Sequence, residues 1–117
     1  MLPDQTPAAD ALRALGISGL RQISIVLALA ARCRAAKQGY ITLQEHRAHR
    51  SGGWIVCAVA GVLTPGCYEA AEALIQAGHV RLERLDEWDG PDGREADTDV
   101  SLSRAVRAAL AGLEVAQ

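Results

Sequence analysis

The chain contains no phenylalanine and only four aromatic residues, two tryptophans and two tyrosines. Half of its 117 residues are nevertheless apolar, so its core must be built mainly from alanine, leucine and valine. A chain of this length is expected to fold as one domain. Alanine at helix contacts lets helix axes approach closely, toward the ~8 Å end of the usual range.

Signals for secretion or membrane insertion are also lacking. Residues 1–10 (MLPDQTPAAD) are polar and have no basic start, which argues against a secretory signal. The longest apolar run, residues 23–31, is too short to span a bilayer. Cys33, Cys57 and Cys67 cannot all pair within one chain. We therefore expect a reduced, cytoplasmic protein with buried thiols and no membrane partner.

Patterns typical of catalysis or metal binding are missing as well. His46 and His49 would share one face of a helix, but their spacings to Cys57, Cys67 and His79 are irregular and there is no Cys-x-x-Cys pair. No glycine loop suited to phosphate and no arrangement suited to nucleophilic catalysis is present. We expect no enzymatic activity, no cofactor and no metal.

Charge is unevenly distributed along the chain, although the net charge is only −2. Residues 1–65 carry a balance of +4, and residues 66–117 carry a balance of −6. This asymmetry indicates that two faces of the molecule meet different surroundings or different partners.

Residues 1–39 are predicted to form two N-terminal helices. Ser18 is a plausible N-cap for the longer one, and Gly39 is a suitable end. Its central residues 25–31 are apolar on nearly every side, which predicts burial all round, either inside one domain or against a second subunit.

Residues 40–50 allow two interpretations. Residues 40–43 fit a short strand, whereas Thr42 followed by Glu45 fits a capping box that would begin a helix running to Arg50. The helix is favoured. Residues 51–53 are a turn in either case.

Residues 54–78 are predicted to form a helix-turn-helix. Residues 54–63 fit a strand or two helical turns, but the Thr64-Pro65 pair that follows is a typical N-cap with proline at the first helical position. The second helix then runs to Gly78. A helix, a glycine-containing turn and a second helix make up this motif.

After Gly78 the apolar residues alternate, which indicates strands. Residues 79–102 are predicted to be a hairpin, or wing, with its bend in the acidic stretch EWDGPDGREAD. Ser103 then caps a last helix over residues 103–114. The predicted fold is mainly α with a small β-hairpin (α+β), a winged helix-turn-helix.

These segments resemble the MarR and PadR families of bacterial winged-helix regulators. The resemblance covers residues 54–113, about half of the chain, through LTPGCYEAAEALIQAGHV, a hairpin containing DGR, and VSLSRAVRAAL. The matching positions are Leu74, Gly78, Val80, Asp92-Gly93-Arg94 and Ser101-Leu102-Ser103, with Pro65-Gly66 and Tyr68 similar to the start of a PadR recognition helix.

The resemblance implies a homodimeric transcriptional regulator that binds duplex DNA. The second helix of the pair would enter the major groove and the wing would contact phosphate or the minor groove. The apolar faces of the long N-terminal helix and of the last helix would form the dimer. The residues expected in the major groove are Thr64, Gly66, Tyr68, Glu69 and Gln76. Those expected to hold phosphates are Arg47, Arg50, Arg84 and Arg94.

The charges depart from this family pattern. The predicted recognition helix has no Arg or Lys, and residues 87–97 carry five acids against the single base Arg94, although phosphate contacts require cations. Such acids keep an exposed hairpin tip solvated, or they dock a basic partner. The alternative hypothesis is therefore a protein-interaction module or inhibitor, possibly a DNA mimic. Its contact residues would be Glu69, Glu72, Glu87, Trp88, Asp89 and Asp92, with Trp88 either an interface anchor or folded back onto the hairpin.

Overall fold

The computed structural model of the protein describes residues 7–46, 50–91 and 93–116. These residues form five α-helices and a three-stranded antiparallel sheet, so the predicted α+β class is confirmed. In chain order the elements are α1 (Pro7–Ala14), α2 (Leu20–Ala36), β1 (Tyr40–Glu45), α3 (Gly52–Ala60), α4 (Pro65–Gln76), β2 (Val80–Gly90), β3 (Gly93–Leu102) and α5 (Arg104–Ala116).

The helix predicted to begin at Thr42 is wrong, because the chain forms strand β1 there. This strand pairs antiparallel with β3, from Tyr40 opposite Ser101 to Glu45 opposite Ala96. Both residues of the presumed capping box make cross-strand contacts instead. The Thr42 hydroxyl donates to the Asp99 carboxylate, and the Glu45 carboxylate is buried against Arg84.

Helix α2 also differs from its prediction at both ends. Its N-cap is Gly19 rather than Ser18, with no side-chain cap. At the other end Lys37, not Gly39, takes the left-handed conformation, with φ 57°. Within the single chain the helix contacts α3, α4, β1 and β3 but is not buried all round, so burial inside one domain does not account for its apolar middle. Its buried residues are Ile23, Ile25, Val26 and Leu29, while Leu27, Ala28 and Ala30 are half-buried and Ala31 is exposed.

Helices α3 and α4 form the pair of helices predicted for residues 54–78. The turn predicted for residues 51–53 is wrong at Gly52 and Gly53, because α3 begins at Gly52. Ser51 caps α3 by accepting a hydrogen bond from the Trp54 amide, and Thr64-Pro65 begins α4. The two helices are joined by residues 61–64, where Gly61 has φ 79°, and their axes are bent by 109°. Among the described residues no single helix is long and apolar enough to cross a membrane.

The hairpin predicted for residues 79–102 is formed by β2 and β3, and the strand order in the sheet is β1-β3-β2. We call the side that carries Val80, Leu82, Val100 and Leu102 the helix side, because these residues pack into the core, and the opposite side the outer side. A β-bulge interrupts β2 between Arg84 and Asp86. Ser103 caps α5, as predicted, by accepting from the Val106 amide.

Helices α3 and α4 approach each other closely at Gly53. A Cβ on Gly53 would lie 2.5 Å from the Tyr68 carbonyl oxygen and 2.9 Å from the Glu72 Cγ. The same Gly53 amide donates to the Glu72 carboxylate over 2.7 Å. Only glycine allows both the approach and the hydrogen bond.

We therefore expect Gly53→Ala to lower the free energy of unfolding by about 3 kcal/mol, because the backbone at Tyr68 must shift to admit the new methyl group. This value is at the upper end of the usual cost of overpacking a core. The matched control is Gly112→Ala in α5, where a Cβ meets nothing within 4 Å. That change should be neutral or stabilise by up to ~1 kcal/mol through helix propensity. Urea denaturation of both variants checks the prediction, and equal stabilities would contradict it.

Candidate nucleic-acid interface

The N-terminal end of α4 has no side-chain cap. Thr64 is the N-cap residue, but its hydroxyl donates to the Cys67 sulfur over 3.1 Å instead of accepting from a backbone amide. No acidic residue lies in the first turn. This end of α4 therefore carries the partial positive charge of the helix without an acidic side chain to offset it.

A cation from another helix lies at this same end. The guanidinium of Arg21, at the start of α2, occupies the space beside Gly66, where a Cβ would lie 2.7 Å from the Arg21 Cζ. Arg21 was not among the predicted site residues, because it lies far from α4 in the chain. The available signal was a glycine in the first turn of a helix, since glycine often marks a close approach.

Arg32 lies at the other end of the turn between α3 and α4. A Cβ on Gly61 would be 2.9 Å from the Arg32 Nη2. Arg32 follows Arg21 by eleven residues, about three helical turns, so both project from one face of α2. Helix α2 thus places one arginine at the end of α3 and one at the start of α4.

The residues predicted for the major groove differ in their exposure. Thr64, Glu69 and Gln76 are exposed, whereas Gly66 is half-buried beside Arg21. Tyr68 is half-buried and packs against the hydrophobic core. The exposed side of α4 therefore presents one acid and one amide.

Of the two arginines predicted before α3, Arg47 lies outside the described residues. Arg50 is exposed, and its guanidinium carbon lies 4.6 Å from the centre of the Trp54 ring. A cation held over an indole face in this way keeps its charge and gains a modest attraction. Arg50 is therefore positioned by α3 although it precedes that helix.

The two arginines of the hairpin, Arg84 and Arg94, are engaged in ion pairs on the helix side of the sheet. Arg84 donates to the buried Glu45 over 2.8 Å and to Glu87 over 2.9 Å. Arg94 donates to Asp89 over 3.0 Å and lies 4.0 Å from Glu87. These contacts partly neutralise the acids of the hairpin, and they also occupy the two cations that were predicted to hold phosphates.

Trp88 and Glu95 form a second cluster, on the outer side. The Trp88 indole donates to the Glu95 carboxylate over 2.8 Å, and the His46 Nδ1 lies 3.1 Å from the other carboxylate oxygen. The carboxylate lies directly over Gly90, which leaves no room for a Cβ. Hydrogen bonding to His46 and then to Trp88 lowers the pKa of Glu95. Trp88 is thus folded back onto the hairpin.

Four further acids occupy the outer side of the sheet in two directly opposed pairs. Glu83 lies opposite Asp99, and Asp86 lies opposite Asp97. Like charges directly across a sheet repel. The negative charge of the hairpin is therefore concentrated on its outer side. Asp92 lies outside the described residues.

Of the residues predicted for the alternative hypothesis, Glu72 makes a structural contact. It is half-buried and accepts the hydrogen bond from the Gly53 amide that joins α4 to α3. Glu69 is exposed on the same helix. The two acids of α4 therefore do not form one exposed pair.

No family model matches this chain, and no curated protein or solved structure matches it. The resemblance to the MarR and PadR families stays a prediction.

The Trp88–Glu95–His46 cluster predicts an acid transition in Trp88 fluorescence. The folded-state pKa of Glu95 lies below its ordinary value of 4.5, so these hydrogen bonds add stability above the unfolded-state pKa. That contribution is lost as the pH falls through the folded-state pKa. We expect Trp88 emission to change below pH ~4.5. The Glu95→Gln variant should lack the transition, and an identical transition in that variant would contradict the assignment.

The ion pair between Arg84 and Glu45 predicts a stability cost for Arg84→Met. The Glu45 side chain has no exposed surface, whereas that of Arg84 is 33 % exposed. Removing the arginine leaves a buried carboxylate without its counter-charge, so we expect a loss of about 3 kcal/mol. The double variant Arg84→Met/Glu45→Gln should recover most of this loss in urea denaturation. A double variant as unstable as the single one would show that packing, not charge, is responsible.

Proposed function

We propose that this protein is a winged helix-turn-helix regulator of transcription that binds duplex DNA as a homodimer. The order of its elements supports this proposal most directly. Helices α3 and α4 are bent by 109° across a four-residue turn that contains Gly61, and a hairpin follows α4. Helix-turn-helix motifs have angles of about 90–120° and such a turn. Strand β1 lies between α2 and α3 in the chain, and it adds a third strand to the hairpin by pairing with β3.

In this proposal α4 is the recognition helix. Glu69 and Gln76 are seven residues apart, about two helical turns, so they lie on one exposed face. A glutamine reads adenine through two hydrogen bonds, and a glutamate accepts from the cytosine amine. Both residue types are therefore compatible with contacts to base edges.

Phosphate binding is assigned to the start of α4. The positive end of the α4 dipole, which has no side-chain cap, and the Arg21 guanidinium meet there, and both attract anions. Arg50, held over Trp54, supplies a further cation. The assignment of Arg84 and Arg94 to phosphates is weakened, since each already pairs with acids of the hairpin.

The experiment is fluorescence anisotropy of a labelled, mixed-sequence duplex at ~50 mM and ~200 mM salt. We expect non-specific binding at low salt that weakens steeply as salt rises, because phosphate contacts release counterions. Arg21→Ala should reduce affinity and lower the salt slope by about 1, the value for one lost phosphate contact.

The matched control for this experiment is Arg13→Ala in α1, a helix that packs against α5 and whose Arg13 pairs with Asp10. It should bind like the unchanged protein. Equal losses for the two variants would show a general charge effect and remove the role assigned to Arg21. Sedimentation velocity tests the homodimer separately, through a mass twice that of the 12.4 kDa chain.

The second candidate function is docking of a basic protein partner, and the outer side of the sheet favours it. The acids first expected to make this contact are largely used internally: Glu72 pairs with the Gly53 amide, and Glu87 and Asp89 pair with arginines. The two opposed acid pairs on the outer side would take their place. Absence of DNA binding at ~50 mM salt and micromolar protein would favour this function.

A further inference from the structure

A cavity of about 390 Å³ lies between the C-terminal half of α2 and the first turns of α5. Its apolar lining combines buried Leu102, at the end of β3, with partly exposed side chains of both helices. These are Ala30, Cys33, Leu110 and Ala111. The volume lies within the range of about 300–1,000 Å³ that is usual for small-molecule sites.

Three cations surround this apolar lining. Arg34 and Lys37 come from the end of α2, and Arg107 comes from α5. The described residues that line the cavity include no aspartate or glutamate. The cavity therefore combines an apolar surface with positively charged side chains and no acidic ones among the described residues.

Lys37 occupies a position that usually requires glycine. It ends α2 in the left-handed conformation, with φ 57°, and its amide bonds back to the Arg34 carbonyl over 3.1 Å. A side chain at this position opposes the folded conformation, because its Cβ crowds the backbone. A strained residue of this kind is often retained where its side chain has a function. Here the side chain lines the cavity.

Arg107 places its charge between the two helices. Its Nη1 would lie 3.2 Å from a Cβ on Gly39, just after the end of α2. Both residues line the cavity, where burial raises the pKa of the Cys33 thiol and the Arg107 charge partly opposes this rise. Arg107 thus reaches across the cavity from α5 to α2.

We propose that this cavity binds an amphiphilic organic anion, namely a carboxylate on an apolar chain. The carboxylate would pair with Arg107 and Lys37, because a guanidinium binds a carboxylate through two parallel hydrogen bonds. The chain would lie against Leu102 and Leu110. This inference does not depend on the proposed DNA binding.

The test is calorimetric titration of the full chain with decanoate, and with decyltrimethylammonium as a cation of equal chain length. We expect saturable binding of one decanoate per chain and none of the cation. Arg107→Met should weaken decanoate binding at least tenfold. Arg104→Met, which removes an exposed arginine of the same helix that does not line the cavity, should leave it unchanged.

Lys37→Gly separates loss of the site from loss of the fold. Glycine suits the left-handed position, so this variant should keep or raise its Tm while decanoate affinity falls. A second readout is the rate of thiol labelling. Cys33 is half-buried while Cys57 and Cys67 are buried, and bound decanoate should slow the modification of Cys33.

Three results would overturn the proposal. The first is the absence of saturable decanoate binding. The second is equal binding of decyltrimethylammonium, which would show only non-specific binding to an apolar surface. The third is decanoate affinity that Arg107→Met and Lys37→Gly leave unchanged. If Arg107→Met alters sedimentation but not decanoate binding, the cavity is a contact between copies of the chain rather than a ligand site.

Discussion

One buried carboxylate joins all three strands of the sheet. Glu45 ends β1, and its Oε1 accepts hydrogen bonds from Arg84 of β2 and from Thr98 of β3. A buried carboxylate is costly unless it is paired, so the position of Arg84 is fixed by Glu45. The second Arg84 nitrogen then binds Glu87. Glu45, which lies outside the hairpin, therefore positions the Arg84–Glu87 ion pair within it.

The β-bulge in β2 decides which acids face which side. Simple alternation from Val80 would place Asp86 and Trp88 on the helix side. Because the bulge adds one residue, Asp86 instead lies opposite Asp97, and Glu87 lies opposite Ala96 on the same side as Arg84. The bulge thus allows the Arg84–Glu87 ion pair and brings Trp88 opposite Glu95. The acids that the structure describes within residues 87–97 therefore do not share one surface.

Sequence patterns predicted the elements whose signals are local. Thr64-Pro65 marked the start of α4, alternation marked the hairpin, and Ser103 marked the start of α5. Strand β1 was one of two interpretations of residues 40–50, and the helix was favoured because Thr42 and Glu45 fit a helix cap in isolation. Their actual partners are 39 to 57 residues away, and no short pattern records contacts at that separation.

The candidate interface was predicted less well than the fold, for a related reason. Counting cations along α4 finds none, yet Arg21 of α2 supplies one at its first turn, in the space that Gly66 leaves open. Conversely, Arg84 and Arg94 were counted as available although both are paired with acids. The charge presented to a partner is set by which side chains share a surface. In this fold, cationic charge therefore lies at the start of α4, and negative charge lies on the outer side of the sheet.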